Sequence, residues 1–235
     1  HCQWLTETCR MLNETGLYLD QGSYWYPETI SGLHRFSLKV ELPEGWSSIS
    51  QGVYHHDHWE EKQAQQNIYL IAAPFKHYHK NYNGIEISVY LRQDDAVLAE
   101  RYLQATEHYL ALFSKQLGAY PYQKFATVES FWETGWGMPS FTLLGSRVMR
   151  LPFIIDSAFA HEIMHNWWGN GVYVDTRKGN WSEGLTAYLA DHAIKAQQNE
   201  DAAYRRDQLQ KFSHFVTQQQ DPALKDFTSR HDQTT

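Results

Sequence analysis

The chain has 235 residues, 42% of them apolar, enough to bury a sizeable core as one large domain or two modest ones. Its 20 basic and 27 acidic residues leave a formal charge of −7 with no Lys/Arg cluster, which excludes a nucleic-acid surface, because phosphate binding needs a concentrated basic face. No run approaches the roughly eighteen apolar residues of a membrane span, since the longest candidate, residues 150–168, is interrupted by Asp156, His161, Glu162 and His165.

Near the start stand Cys2 and Cys9, close enough to bridge if a turn brings them together. A disulfide would imply an oxidising compartment; two unpaired thiols are the alternative. From about residue 17 to 92 short alternating runs, "HRFSLKVELPEGW", "NIYLIAAPF" and "GIEISVYL", are broken by Pro-Glu-Gly and Asn-Gly. Period-two runs bounded by turn residues predict strands of a β-rich region. After Asp94-Asp95 the period changes: Val97, Tyr102, Ala105, Tyr109, Leu112 and Phe113 are expected on one face of a helix that stops at Gly118. "KFATVESFW" and "SFTLLGS" predict two further strands, joined by the glycine-rich "ETGWGMP". Three helices follow, through 153–168, about 181–197 and about 201–219. The expected fold class is α+β, with a β-rich N-terminal domain over 1–93 and a second domain over 94–235.

The stretch "SAFAHEIMHNWWGNG", residues 157–171, holds the chemistry. In His161-Glu162-x-x-His165 the i, i+4 spacing puts both imidazoles on one side of a helix about one turn apart, as two ligands of one tetrahedral ion require. Glu162 falls about 100° round the helix from His161, where a general base for a metal-activated water belongs. Two buried core histidines are the structural alternative. Hydrolytic zinc takes three protein ligands and keeps a fourth position open, and Glu183 in "GNWSEGLTAYLADH" is the candidate third. The competing role for Glu183 is the far half of a capping box begun by Asn180. His55, His56 and His58, and His77 with His79, look metal-like but have no third ligand at a suitable spacing. Trp167, Trp168 and Tyr188 are expected in the core.

These motifs resemble the gluzincin zinc aminopeptidases related to membrane alanyl aminopeptidase, over most of the chain. "HEIMHNWWGN" and "WSEGLTAYLADH" are similar to that family's metal helices, and "GLYLDQGSYWYP" and "LKVELPEGW" to the end of its N-terminal β domain. The resemblance implies one Zn2+ per chain held by His161, His165 and Glu183, a water activated by Glu162, and a thermolysin-like mixed α/β catalytic domain. It implies a peptide substrate, lying along "SFTLLGS" with the Gly137 backbone close to it, and substrate contacts at Trp136, Gly137 and Met138.

The chain departs from the family at three places. The loop between His165 and Glu183 is one residue shorter. Pro139 and Ser140 replace the Glu and Asn that follow Met138 in the family's substrate loop, so the carboxylate that grips the substrate's amino terminus is missing. Glu133 is the candidate substitute, with a solvated loop side chain as its alternative. The family's oxyanion-stabilising tyrosine would lie beyond Thr235, so the chain is expected to be a piece of a longer protein that binds zinc yet hydrolyses peptides poorly by itself. The expected parent is periplasmic, extracellular or membrane-associated. The reading is a zinc metallopeptidase, aminopeptidase-like. Two alternatives remain: a peptidase that does not require a free amino terminus, and a zinc-bound peptide-binding module of weak catalysis.

Overall fold

The computed structural model describes residues 11–27, 32–216 and 223–227. Cys2 and Cys9 and the closing "TSRHDQTT" lie outside the described residues. The chain divides into two compact units, His1–Pro152 and Phe153–Thr235. The change of period near residue 93, where the sequence suggested a boundary, falls between a strand and a helix of the first unit.

Nine strands of the described residues precede the first α-helix: β1 (Met11–Asn13), β2 (Gly16–Leu19), β3 (His34–Lys39), β4 (Ser47–Ile49), β5 (Val53–His55), β6 (His58–Gln65), β7 (Leu70–Ala73), β8 (Lys76–Tyr82) and β9 (Ile85–Leu91). Helix α1 (Ala96–Leu117) follows, then β10 (Lys124–Ser130), β11 (Gly135–Met138) and β12 (Phe141–Gly145). The strands form a four-stranded sheet in the order β1-β2-β7-β4, a three-stranded sheet β3-β6-β5, and a five-stranded sheet β11-β12-β10-β9-β8.

The five-stranded sheet is mixed. β9, β10 and β12 run parallel, and the edge strands β8 and β11 pair antiparallel with their neighbours. β10 and β12 are buried along their whole length, so the polar residues of β10, Lys124, Thr127, Glu129 and Ser130, are buried with its apolar ones. Tyr90, Ala126, Val128, Phe141 and Leu143 share one core cluster with Tyr18, Ile49 and Ile71 of the four-stranded sheet. α1 packs against β8 and β9. It starts where the Asp95 side chain accepts from Leu98 N at 3.0 Å and ends at Gly118, at φ 97°, a conformation that costs any other residue strain. Tyr102, Ala105, Tyr109 and Phe113 line its buried face, but Val97 is 77% exposed. Five residues separate Val97 from Tyr102, about 140° of helix, and the neighbouring Leu98 takes the core position.

β5 and β6 form a hairpin closed by His56 and Asp57, both at positive φ. The cluster His55, His56 and His58 is therefore hairpin geometry, with Asp57 ion-paired to Lys39 at 2.7 Å. His77 and His79 stack on the same face of β8, and His77 also stacks on Tyr90 at 4.2 Å. The glycine-rich linker expected between β10 and β12 is itself a strand, β11, which turns into β12 through Pro139 and Ser140. Proline fixes φ for the first turn position, and Ser140 takes φ 67° at the second.

Candidate metal centre

The second unit begins with the segment expected to be one helix through 153–168. It is broken instead. Asp156 and Ser157 have non-helical backbone angles, and Phe159 N reaches back five residues to Ile154 O at 3.0 Å. The Ser157 hydroxyl donates to Phe153 O at 2.8 Å, a local bond that competes with helical pairing. A regular helix, α2, then covers Ala160–Met164. Gly169 follows at φ 108°, and a Cβ there would stand 2.8 Å from Ser182 Oγ. That serine donates to Trp168 O at 2.9 Å, so this end of the segment is tied directly to the start of the next helix.

The region expected to be helical over 181–197 comprises α3 (Ser182–Thr186), a wider turn over Ala187–His192, and α4 (Ala193–Gln197). α5 (Asp201–Phe215) is the last α-helix of the described residues. Asn180 does act at the start of α3, where its Oδ1 accepts from Ser182 N at 3.2 Å. Tyr188 is 61% exposed, not core as expected, and lies flat on His192; Trp167 is buried.

α2 and α3 bring three of the sequence-derived candidates together. Glu183 Oε2 lies 3.4 Å from His161 Nε2 and 3.5 Å from His165 Nε2, and one donor atom from each residue lies within 4.8 Å of the others. Both imidazoles therefore turn the same nitrogen toward one carboxylate oxygen. Their other nitrogens are held from behind. His161 Nδ1 is 3.1 Å from Asp191 Oδ2, and His165 Nδ1 is 3.0 Å from the Trp168 carbonyl and 3.5 Å from Thr186 Oγ1.

Two imidazoles and a carboxylate are a donor set that zinc takes, and donors 2.0–2.1 Å from a tetrahedral ion stand about 3.3 Å apart. The observed separations fit such an ion with little rearrangement. Glu162 is half-buried beside the set. Burial by itself would lower the His161 imidazole, but hydrogen bonds to Asp191 and Glu183 and the nearby Glu162 charge outweigh it and raise it to about 10. Burial works upward on the Glu183 carboxyl, yet hydrogen bonds to the two histidines hold it far below the usual carboxylate range. A cation arriving at the Nε2 atoms must first displace that proton.

Asp191 was not singled out from the sequence. It stands eight residues after Glu183, two turns along, and that spacing was the signal that could have found it. The bond from a ligating imidazole to a carboxylate behind it fixes tautomer and ring orientation.

The candidate substrate residues belong to the first unit. Met138 is 1% exposed and sits in the core cluster, so its side chain faces away from solvent. Trp136 and Gly137 are half-buried in β11. The Glu133 carboxylate accepts from the backbone amides of Arg147, at 3.0 and 3.2 Å, and Val148, at 3.3 Å; it is a local brace. β12 has neighbours on both sides, so an added peptide strand cannot pair with it as expected. The open edge of this sheet beside it is β11.

No family model matches the chain and no curated protein sequence matches it. Solved structures do. The crystal structure of an M1 zinc metallopeptidase from Deinococcus radiodurans is 17% identical, with a TM-score of 0.63 over 77% of this chain and 45% of that one. A mutant of the M1 zinc metallopeptidase from that organism gives 16% identity and a TM-score of 0.68 over 86% and 50%. The same mutant bound to a Tyr-Ser-Ala substrate gives 16% and 0.64 over 77% and 45%. The chain thus spans about half the length of these structures, and what it shares with them is the fold of M1 zinc metallopeptidases, a mixed helix-and-sheet architecture.

Proposed function

We propose that this chain carries the metal centre of a zinc metallopeptidase, aminopeptidase-like in its chemistry, with His161, His165 and Glu183 as ligands of one Zn2+. The observation that carries the reading is the convergence of both Nε2 atoms on Glu183 Oε2 with both Nδ1 atoms braced from behind. Satisfied core histidines would have no need of a shared carboxylate in front and separate partners behind. The likeness in fold to M1 zinc metallopeptidases supports the same reading.

Zinc, when bound, supplies a Lewis acid that lowers the pKa of a water and polarises a substrate carbonyl. The remaining work falls to the chain. Glu162 takes the proton from the attacking water on its carboxylate and returns it to the leaving amine. Asp191 holds His161 in the tautomer whose Nε2 faces forward. Trp136 and Gly137 are assigned to an extended peptide that would run along β11, an edge strand of the five-stranded sheet; Met138 supports that strand from the core.

The occupation of Glu133 by backbone amides favours one variant of this reading, a peptidase that does not depend on a free substrate amino terminus. The test is hydrolysis of matched peptides with free and acetylated amino termini by the zinc-loaded protein. Cleavage of both at similar kcat/KM supports the variant, and a loss of more than about a hundredfold on acetylation supports amine recognition. Binding of peptides without any cleavage by the full-length parent protein, at one zinc per chain, would assign the chain to the non-catalytic class.

A further inference from the structure

The first unit holds a cavity of about 480 Å³ lined by its own residues. It opens beyond the carboxyl ends of the parallel strands: Arg92 follows β9, Glu129 lies near the end of β10, and Ser146 follows β12. In open sheets with parallel strands, ligands bind in the crevice outside those ends. The volume falls in the range of small-molecule sites. Thr15 and Glu14, from the turn between β1 and β2, face it from the four-stranded sheet.

The charges in this cavity are arranged, not scattered. Glu129 is 3% exposed and fully engaged: Oε1 accepts from Arg150 Nη1 at 2.9 Å and Oε2 from Arg92 N at 2.7 Å. Arg150 also donates to Ser146 O at 2.7 Å and Ser146 Oγ at 3.0 Å. Glu129 therefore neutralises Arg150 and at the same time fixes the backbone from which the Arg92 side chain springs. The Arg92 guanidinium lies over the Phe131 ring, 5.4 Å from its centroid, and forms no ion pair among the described residues. A guanidinium seated by its face keeps its N–H fork free for a planar, bidentate anion. The one uncompensated cation suits a single negative charge. Glu14 at the rim disfavours a second negative charge and suits an ammonium.

We propose that this cavity binds a small zwitterion of the free amino acid or dipeptide class, its carboxylate on Arg92 and its ammonium toward Glu14. Ser146 and Thr15 supply hydroxyls on the walls.

The test is equilibrium binding by calorimetry to the zinc-loaded chain, with L-leucine, N-acetyl-L-leucine, L-leucinamide and inorganic phosphate as probes. L-leucine is expected to bind, N-acetyl-L-leucine, which lacks the ammonium, to bind more weakly, and L-leucinamide, which lacks the carboxylate, not to bind; N-acetyl-L-leucine binding as tightly as L-leucine would overturn the ammonium contact with Glu14. Arg92→Gln, at an exposed side chain, should keep the thermal midpoint and weaken L-leucine by about tenfold or more, the loss of a charge-assisted bond. His161→Ala should leave L-leucine binding intact. Binding of L-leucinamide equal to that of L-leucine, an unchanged affinity in Arg92→Gln, or loss of binding in His161→Ala would each overturn the proposal. So would phosphate binding without L-leucine binding, which would make the cavity an inorganic oxyanion site.

Discussion

His161 Nδ1 stands 3.1 Å from Asp191 Oδ2 while the opposite nitrogen of the same ring faces Glu183 Oε2 at 3.4 Å. One imidazole is thus clamped between two carboxylates with distinct tasks, one orienting it and one sharing its cation. Asp191→Asn keeps the shape but weakens the acceptor. Zinc affinity is expected to fall about 10- to 100-fold with little change in thermal midpoint, measured by competition with a chelating dye. Unchanged affinity would leave Asp191 without an orienting role.

Glu162→Gln is nearly isosteric and cannot take a proton from water. The zinc content should be unchanged and kcat on a cleaved peptide should fall by about 10²- to 10⁴-fold. Elemental analysis and steady-state kinetics on the same sample separate the two effects. Wild-type kcat in this variant would remove Glu162 from the mechanism.

Gly169 occupies a left-handed conformation with Ser182 Oγ where a side chain would go. Gly169→Ala adds strain and a clash at once, and should destabilise the protein by about 1 kcal/mol or more. Because Ser182 ties Trp168 to α3 and the Trp168 carbonyl also meets His165 Nδ1, zinc affinity should weaken with it. Urea unfolding and the zinc titration would be run in parallel; a loss of stability at constant zinc affinity would show that the turn does not set His165.

Lys124 is 4% exposed, with its ammonium 2.7 Å from Ser140 Oγ and near the rings of Trp59 and Phe141. Burial lowers its pKa to about 7 against the opposing pull of Glu61 and Glu86. From about pH 7 to the ordinary lysine value, the unfolded chain therefore holds the proton that the folded chain has released. Stability should rise with pH across that window, because the unfolded state binds more protons. The urea midpoint is expected to increase between pH 7 and 9.5, and Lys124→Met should flatten that rise. The opposite slope in the wild type, or an unchanged slope in the variant, would contradict the assignment.

Much of this was legible in the residues. Alternating runs located β3, β7 and β9, and Asp95 and Gly118 bounded α1, because period and caps are local properties. Helical spacing paired His161 with His165, and Glu183 stood as the candidate third ligand beside a capping role, the resemblance to the gluzincin aminopeptidases implying the full trio. What escaped depended on pairing or on side-chain competition. β11 was hidden by its glycines and by a turn whose serine is held by a lysine from β10. The break at Asp156 and Ser157 comes from a hydroxyl that prefers a carbonyl of its own turn. Asp191 required knowing which face of the helix after Glu183 packs against His161, and the burial of Lys124 required knowing which strand lies opposite.

The central claim is that His161, His165 and Glu183 hold one zinc ion. Zinc per chain, by elemental analysis after equilibration with a zinc buffer, tests it most directly in the wild type and in the His161→Ala, His165→Ala double variant. The account predicts one zinc in the wild type and none in the folded double variant. Full occupancy in the double variant, or none in the folded wild type, would contradict it.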